Sequence, residues 1–548
     1  MSDSRADEIL RQHSGMESDR AVFEGHWREI EERVSYKGRY FQNQTDTQGT
    51  KSTDRIFDVT APLACDRFAA AMESMITPRT QRWHKLTVAT PELADDQDVK
   101  AWCDEATDVL FAARYAPSAN FASQVHESYW SIGAYGTGGI FVDDSLGRSL
   151  VYRAIHLSEL FFADDMSGRI DKVHRRQRPT LRQIAQRFGV EAMPPKLRAM
   201  LEKSPEARTE VIHCVKPNEE FDSRRSDYRG RKFASYYVLQ ETRSILETSG
   251  YRSMPYCIGR YSTTPREVYG RGPGMLVLPE IKMLNEMRKS ILRAAQKAVD
   301  PPLLLPEDGL LRAFDLRAGS LNYGGVDANG NPLVTALQGI GRVDIGEEML
   351  AQCRTVINDA FLVTLFQILV ETPQMTATEA MLRAQEKGQL LAPTMGRAQS
   401  EMIGPCIERE LDILAAAGQL PPMPEQLLEA GGLIEIAYES PLNRLQKSED
   451  GVGILRTLEA LGPLAQLDPT IVDVFDSEQG ARIMAEVNGV PSKVMRSPKR
   501  VQAIRDGRAE QQQLGEVLQA APIAATTAKT LAEAQAVARN NPAPLPLG

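Results

Sequence analysis

Between Pro279 and Val299 the apolar and cationic positions separate around a predicted helix. At about 100° per residue, Ile281, Leu284, Met287, Ile291, Ala295 and Ala298 gather on one side. Lys282, Lys289, Arg293 and Lys297 gather on nearly the opposite side. Like charges four apart repel along a helix, so the stripe weakens the element that carries it. It is either a solvated face of an ordinary surface helix or a surface that some polyanion rewards. Gly270-Arg-Gly-Pro-Gly274 breaks the chain before this helix. Asp300-Pro301-Pro302 ends it, because proline disfavours helical backbone in the residue before it.

The pattern upstream is mixed. Residues 1–42 carry helical periodicity through Ile9-Leu10, Phe23, Trp27, Ile30 and Val34, and the polar stretch Asn43 to Asp54 reads as a loop. Asp58 to Met75, Val99 to Tyr115 and Phe121 to Ile132 read as amphipathic helices, with a short strand at Trp83 to Val88. Gly133, Gly136, Gly138 and Gly139 lie after a helix and before the apolar run Ile140-Phe-Val142. Phosphate loops need the reverse order, strand before and helix after, so this cluster is a helix-to-strand turn. From Ile140 to Tyr269 strands dominate: 149–156, 160–163, 172–177, 209–216, 233–239 and 256–261. Helical pieces at 181–188 and 194–202 interrupt them, which gives an antiparallel α+β region within a mainly helical α+β chain. The basic cluster Arg224-Arg225 to Arg229-Gly-Arg231-Lys232 reads as an exposed loop, with anion or nucleic-acid contact as the alternative.

Downstream of the striped helix, Leu303 to Leu337, with Asn329-Gly330, resembles a small β-hairpin module set between two helices. The second helix is predicted over 345–370, with Glu347 and Glu348 near its positive end. Glu371-Thr-Pro373 breaks it, and a long helix follows over 376–418 with kinks at Pro393, Gly404 and Pro405. A strand is predicted at Leu433 to Tyr438, helices at 442–461, 465–474, 479–488 and 498–512, and an Ala-rich, Pro-ended tail after them.

The chain has 548 residues, 42% hydrophobic and 25% charged, ample for a buried core and about three domains by length. A net charge of −9 means that any affinity for nucleic acid must be local. Cys65, Cys103, Cys214, Cys257, Cys353 and Cys406 lie far apart without metal-type spacing, as reduced core thiols do, and the polar N-terminus carries no signal peptide. The run Ala360 to Val370, 11 residues, is about half of a membrane span. No HExxH, GxSxG or Gly-Lys-Ser/Thr motif occurs, and the seven histidines are scattered. Asp143-Asp144 and Asp164-Asp165 follow strands as turn acids do. No catalytic site, cofactor or metal is expected, which favours a structural or binding role.

Several ordered motifs then resemble a known family, the portal or head-to-tail connector proteins of short-tailed bacteriophages. They are Gly272-Pro-Gly274 leading to Leu278-Pro-Glu-Ile281 and Asn285, and Ala294-Ala295-Gln-Lys-Ala-Val-Asp-Pro-Pro302-Leu. Thr372-Pro-Gln-Met-Thr-Ala-Thr-Glu379 follows, with Gly388-Gln-Leu-Leu-Ala-Pro393, Gly396-Arg397, Glu401, Pro405 and Glu408-Arg409. Tyr438-Glu-Ser-Pro-Leu442, Gln446-Lys447 and Gly489-Val-Pro-Ser-Lys-Val494 complete the set. The resemblance implies a dodecameric ring around a channel for double-stranded DNA, at one capsid vertex of the virion. It implies a wing at 1–278, a first stem helix at 279–299, a clip at 300–344 and a second stem helix at 345–370. A channel loop at Glu371, Thr372, Pro373, Gln374 and Met375 would follow, then a kinked wing helix and return strand at 376–439, a crown at 440–512, and a tail at 513–548. Lys282, Lys289, Arg293 and Lys297 would face DNA without reading its sequence. Implied partners are further copies of the chain, the large terminase subunit, a tail adaptor, and the major capsid and scaffolding proteins, with no membrane. The alternative is another phage assembly protein, a tail adaptor or scaffold, without a DNA channel.

Overall fold

The computed structural model describes residues 2–41, 52–145 apart from 91, 92, 94 and 95, 149–304, 343–364, and 393–439 apart from 433. It also describes short runs and single positions within 315–336 and 453–533. In chain order the elements begin with α1 (Ser2–Arg33), α2 (Thr60–Ile76), β1 (His84–Val88), α3 (Gln97–Arg114) and α4 (Phe121–Tyr135). Strands β2 (Thr137–Ser145), β3 (Ser149–Ile155), β4 (Leu160–Asp164) and β5 (Ile170–Gln177) follow. Next come α5 (Leu181–Phe188), α6 (Pro195–Lys203), β6 (Val211–Pro217), β7 (Phe233–Leu239), β8 (Ser244–Tyr251) and β9 (Tyr256–Arg260). The rest comprises α7 (Leu278–Val299), β10 (Leu303–Leu304), β11 (Thr335–Ala336), α8 (Val343–Ala360), α9 (Gly404–Ala416), β12 (Ile434–Tyr438) and α10 (Ser477–Val487).

The chain divides into two compact units. The first holds residues 1–84, 108–420 and 438–445. At its centre lies α4, in which every residue from Ser128 to Tyr135 is buried. Gly133 lets α2 approach: a Cβ there would stand 2.7 Å from the Phe68 ring. Gly136, at φ 82°, ends α4 in the left-handed conformation that glycine adopts without steric cost. Strand β2 leaves this turn and pairs antiparallel with β3 and β9. A second, five-stranded sheet runs β4-β5-β6-β7-β8, antiparallel throughout.

That sheet is covered on both faces, with side chains alternating between them as strand geometry requires. Val211, Tyr237, Leu239 and Leu246 pack with Leu181 and Ile184 of α5 and Leu197 of α6, and Thr180 opens α5 with a capping box to Gln183. Cys214, Ala234, Tyr236 and Val238 point the other way, against Ala6 and Ile9 of α1. Burial on both sides is why β6 and β7 read as continuous apolar runs. Strand β8 was not predicted: of its residues only Leu246 is buried, so its sequence carries little apolar signal.

Helices α7 and α8 lie antiparallel, Gly346 meeting Ile291 and Cys353 lying beside Glu280. Between them β10 pairs with β11, and an Asn329-Gly330 turn is held by Asp327, whose Oδ1 accepts from the N–H groups of Asn329 and Asn331. The helix expected over 345–370 stops at Ala360. Phe361 drops into the core against Phe68, and Leu362 takes φ 59°, which no α-helix accommodates. Residues 365–392 lie outside the described residues. The kink expected at Gly404-Pro405 is a π-helical turn over Gln399–Ile403 directly before them, where the Tyr438 hydroxyl donates to the Gln399 carbonyl at 2.9 Å.

A buried charge network closes this unit. Arg114 donates to Glu410 (Nε to Oε1, 3.1 Å), the Tyr152 hydroxyl donates to Glu410 at 2.7 Å, and His84 Nε2 lies 2.9 Å from Arg114. Each charge is hydrogen-bonded, which makes its burial tolerable.

The second unit holds 85–107, 421–437 and 446–548. Its described part contains the β1–β12 pair, where the Leu86 N–H donates to Thr107 Oγ1 at 3.1 Å. Trp102 Nε1 donates to the Pro421 carbonyl at 3.0 Å, and Gln97 Nε2 to that of Met495. Helix α10 and helical residues 500–508 lie within the region read as crown; most of the remainder of 440–548 falls outside the described residues.

Candidate nucleic-acid interface

The striped helix α7 starts from a glycine contact. A Cβ on Gly272 would stand 2.7 Å from Gly136 N, and one on Gly274 would stand 2.5 Å from the Ala134 carbonyl. The two glycine clusters of the sequence therefore pack on each other, and this contact fixes where α7 leaves the core. Leu278, Ile281, Leu284 and Asn285 are then buried. Asn285 works as a clamp: its Oδ1 accepts from the N–H groups of Phe57 (2.7 Å) and Asp58 (3.1 Å), and its Nδ2 donates to the Ile281 carbonyl. Asp58 in turn receives Arg354 of α8 at 2.6 Å. Burial pushes the Asp58 carboxyl up, but the hydrogen bonds from Thr60 and Arg354 prevail and hold it below its ordinary range.

The four stripe cations separate into two pairs. Lys282 is half-buried and bound to Glu29 of α1, whose carboxyl this hydrogen bond lowers. Lys289 is half-buried too, 3.5 Å from Glu286 and 5.4 Å above the Phe57 ring. Arg293 and Lys297 are exposed, as is Arg288 on another face of the helix. The predicted apolar face also divides: Ile281 and Leu284 are buried, Met287 and Ile291 half-buried, and Ala295 and Ala298 exposed. Sequence reasoning missed Arg288 and the clamp of Asn285, Asp58 and Arg354. The only local sign of the clamp was a polar residue, Asn285, one turn after Ile281 and next to Leu284.

Glu371, Thr372, Pro373, Gln374 and Met375 lie outside the described residues. The basic cluster at 224–232 is a loop in which two of the five cations are ion-paired: Arg225 with Asp227 at 2.9 Å, and Arg229 with Glu220 at 2.8 Å. Asp165 is a turn acid, its Oδ1 accepting from Ser167 and from the Arg169 N–H. Asp143 lies 3.6 Å from Arg409, and burial pushes its carboxyl up to about 6. Among the described residues no group of three or more His, Cys, Asp or Glu is arranged to hold a metal ion. No helix among them is long and apolar enough to cross a membrane.

The pair of helices α7 and α8 thus combines a clamped, buried base with an exposed cationic end. The family described as "Bacteriophage head to tail connecting protein" matches this chain over residues 6–495, and the chain belongs to that family. Its role is accordingly structural, a portal role, and not enzymatic. It is 27% identical to the portal protein of Salmonella phage epsilon15, over 98% of this chain and 97% of that one. It is 27% identical to the probable portal protein of Bordetella phage BPP-1, over 92% and 91%. A solved structure, the virion of native gene transfer agent particle, aligns at TM-score 0.34 and 11% identity over 74% of this chain and 86% of that one, a likeness too slight to add to the assignment.

Proposed function

We propose that copies of this chain assemble into a dodecameric ring at the portal vertex of the capsid, with α7 facing a channel that carries double-stranded DNA. DNA enters through this ring during packaging and leaves through it during ejection. The observation that carries the reading is the second half of α7. Among the described residues, its last two turns hold Arg293 and Lys297 in solvent and Ala295 and Ala298 uncovered. In a ring, neighbouring copies cover the apolar side and phosphates approach the cations. Contacts of this kind are sequence-independent and weaken with salt, so they guide a moving duplex without gripping it. Lys282 and Lys289, already engaged by Glu29 and Phe57, contribute less.

The β10–β11 module between the stem helices serves as the clip, meeting the large terminase subunit during packaging and a tail adaptor afterwards. The surrounding wing meets the major capsid and scaffolding proteins. The test is imaging of the purified protein with and without short duplex DNA at low salt. A closed ring whose DNA association falls on Arg293→Ala/Lys297→Ala replacement supports the reading. A protein that stays monomeric at high concentration, or a ring indifferent to those changes, overturns it.

A further inference from the structure

On the face of the five-stranded sheet that α1 covers, one row of paired residues runs Phe161, His174, Cys214 and Tyr236 across β4 to β7. His13 of α1 settles on this row. Its ring stands edge-on to Phe161 at 4.5 Å and stacks on His174 at 5.7 Å, the two imidazole planes 16° apart. Both histidines are buried, and neither ring nitrogen of either one has a hydrogen-bond partner. Other histidines differ. Buried His213 is bonded to Tyr256 and Ser235, buried His84 to Arg114, and half-buried His156 to Ser158.

Cations from α1, β5 and β6 lie around the pair, while β4 and β7 bring none. Arg20 of α1 lies 3.7 Å from the Phe161 ring centre and Arg176 of β5 lies 5.2 Å from it, while Lys172 of β5 and Lys216 of β6 flank His174. The carboxylates nearby are already taken: Glu17 by Arg176, Glu24 by Arg20, and Glu8 and Glu219 by Lys216. Burial pushes the Cys214 thiol up to about 12, so it brings no negative charge.

We propose that His13 and His174 form an acid-operated release for the part of α1 that precedes Arg20. A proton on either ring is a charge buried among guanidinium and ammonium groups with no acceptor in reach, and it is relieved by lifting the helix from the sheet. Besides the histidines, that segment is held by the ion pairs of Glu8 with Lys216 and of Glu17 with Arg176, by Arg5 on the Tyr236 hydroxyl, and by a small apolar patch. Ala6, Ile9 and Leu10 supply its apolar contact, and the rim ion pairs Arg5–Glu220 and Arg243–Asp7 are exposed and weak. Arg20, fully buried and donating to the carbonyls of Leu157 and Leu160, stops the release from spreading along α1.

The direction follows from the geometry. Burial, then Arg176 and Arg20, lower His13 from 6.5 to about 4; burial, then His13, Lys172 and Lys216, lower His174 to about 3. A docked value below the free one means that protons favour the released state. Docking is complete above pH 6.5 and is lost as the pH falls toward 4. At pH 5 each histidine shifts the docked-to-released ratio about 30-fold toward release.

Hydrogen exchange by mass spectrometry on the full chain between pH 7.5 and 5.0, corrected for intrinsic rates, tests this. Peptides within 2–19 are expected to lose protection about 30-fold or more at pH 5, while 121–135 and the peptides carrying His84, His156 and His213 keep theirs. In His13→Leu/His174→Leu the 2–19 segment should stay protected at pH 5. Full protection of 2–19 at pH 5 in the unaltered chain overturns the proposal, and so does equal acid loss in the double variant. Should the variant not fold, the order of loss in the unaltered chain decides: simultaneous loss in 121–135 also overturns it.

Discussion

The first and second halves of α7 share one amphipathic pattern and have different surroundings. From Leu278 to Asn285 the apolar side is covered by the chain itself, and Asn285 and Arg354 tie α7 and α8 to the same residue, Asp58. Beyond Ile291, which still meets Gly346 of α8, the described side chains are mostly exposed, Leu292 at 49% and Val299 at 88%. A hydrophobic stripe states which side chains need cover but not which chain supplies it. The same holds for the cations: Lys282 belongs to the fold through Glu29, whereas Arg293 and Lys297 are exposed.

The contrast can be broken most forcefully at Leu284. Leu284→Ala should cost about 3 kcal/mol in denaturant titration of the dissociated protein, because a cavity opens in a closed core. Ala295→Ser under the same conditions should stay within about 0.5 kcal/mol. Equal effects would show that the two halves are packed alike. Asn285→Ala comes next: it strips the acceptor from two backbone N–H groups, at about 1–3 kcal/mol, and hydrogen exchange at Phe57 and Asp58 should quicken.

In assembled particles, Arg293→Ala/Lys297→Ala should reduce association with duplex DNA several-fold at low salt. The slope of log affinity against log salt should flatten by about 0.9 for each phosphate that is no longer neutralised. Asp58→Asn should cost about 1 kcal/mol near neutral pH. Since the folded Asp58 carboxyl lies below its ordinary 3.8, its contribution is present above that value and lost as the pH falls through the folded one. The gap between Asp58→Asn and the unaltered chain should therefore hold from pH 7 to 5 and close in stronger acid. The smallest change is expected of Lys282→Met, which removes a half-exposed ion pair worth about 0–1 kcal/mol and should leave DNA association nearly intact.

Elements that satisfy themselves locally were readable in the sequence. Strands β6 and β7 announce themselves because both of their faces are buried, and the Gly136 turn because its flanking periodicities switch from helix to strand. Where tertiary contacts decide, local pattern misleads. Phe361 and Leu362 are as apolar as the helix before them, so nothing nearby signals that Phe361 packs on Phe68 and ends α8. The Asn285 clamp joins positions 228 residues apart, and no periodicity carries that pairing. The stripe of α7 was visible, but its division into engaged and exposed cations depends on Glu29 and Phe57, which approach from distant segments.

The most direct test of this account is an electron cryo-microscopy reconstruction of the assembled protein at side-chain detail along α7. The expected map is a closed ring whose bore, about 20 Å or roughly two helix diameters, is lined by Arg293 and Lys297, with Ala295 and Ala298 against the neighbouring copy. A ring that turns Arg293 and Lys297 outward, or leaves the second half of α7 without a neighbour, would contradict it.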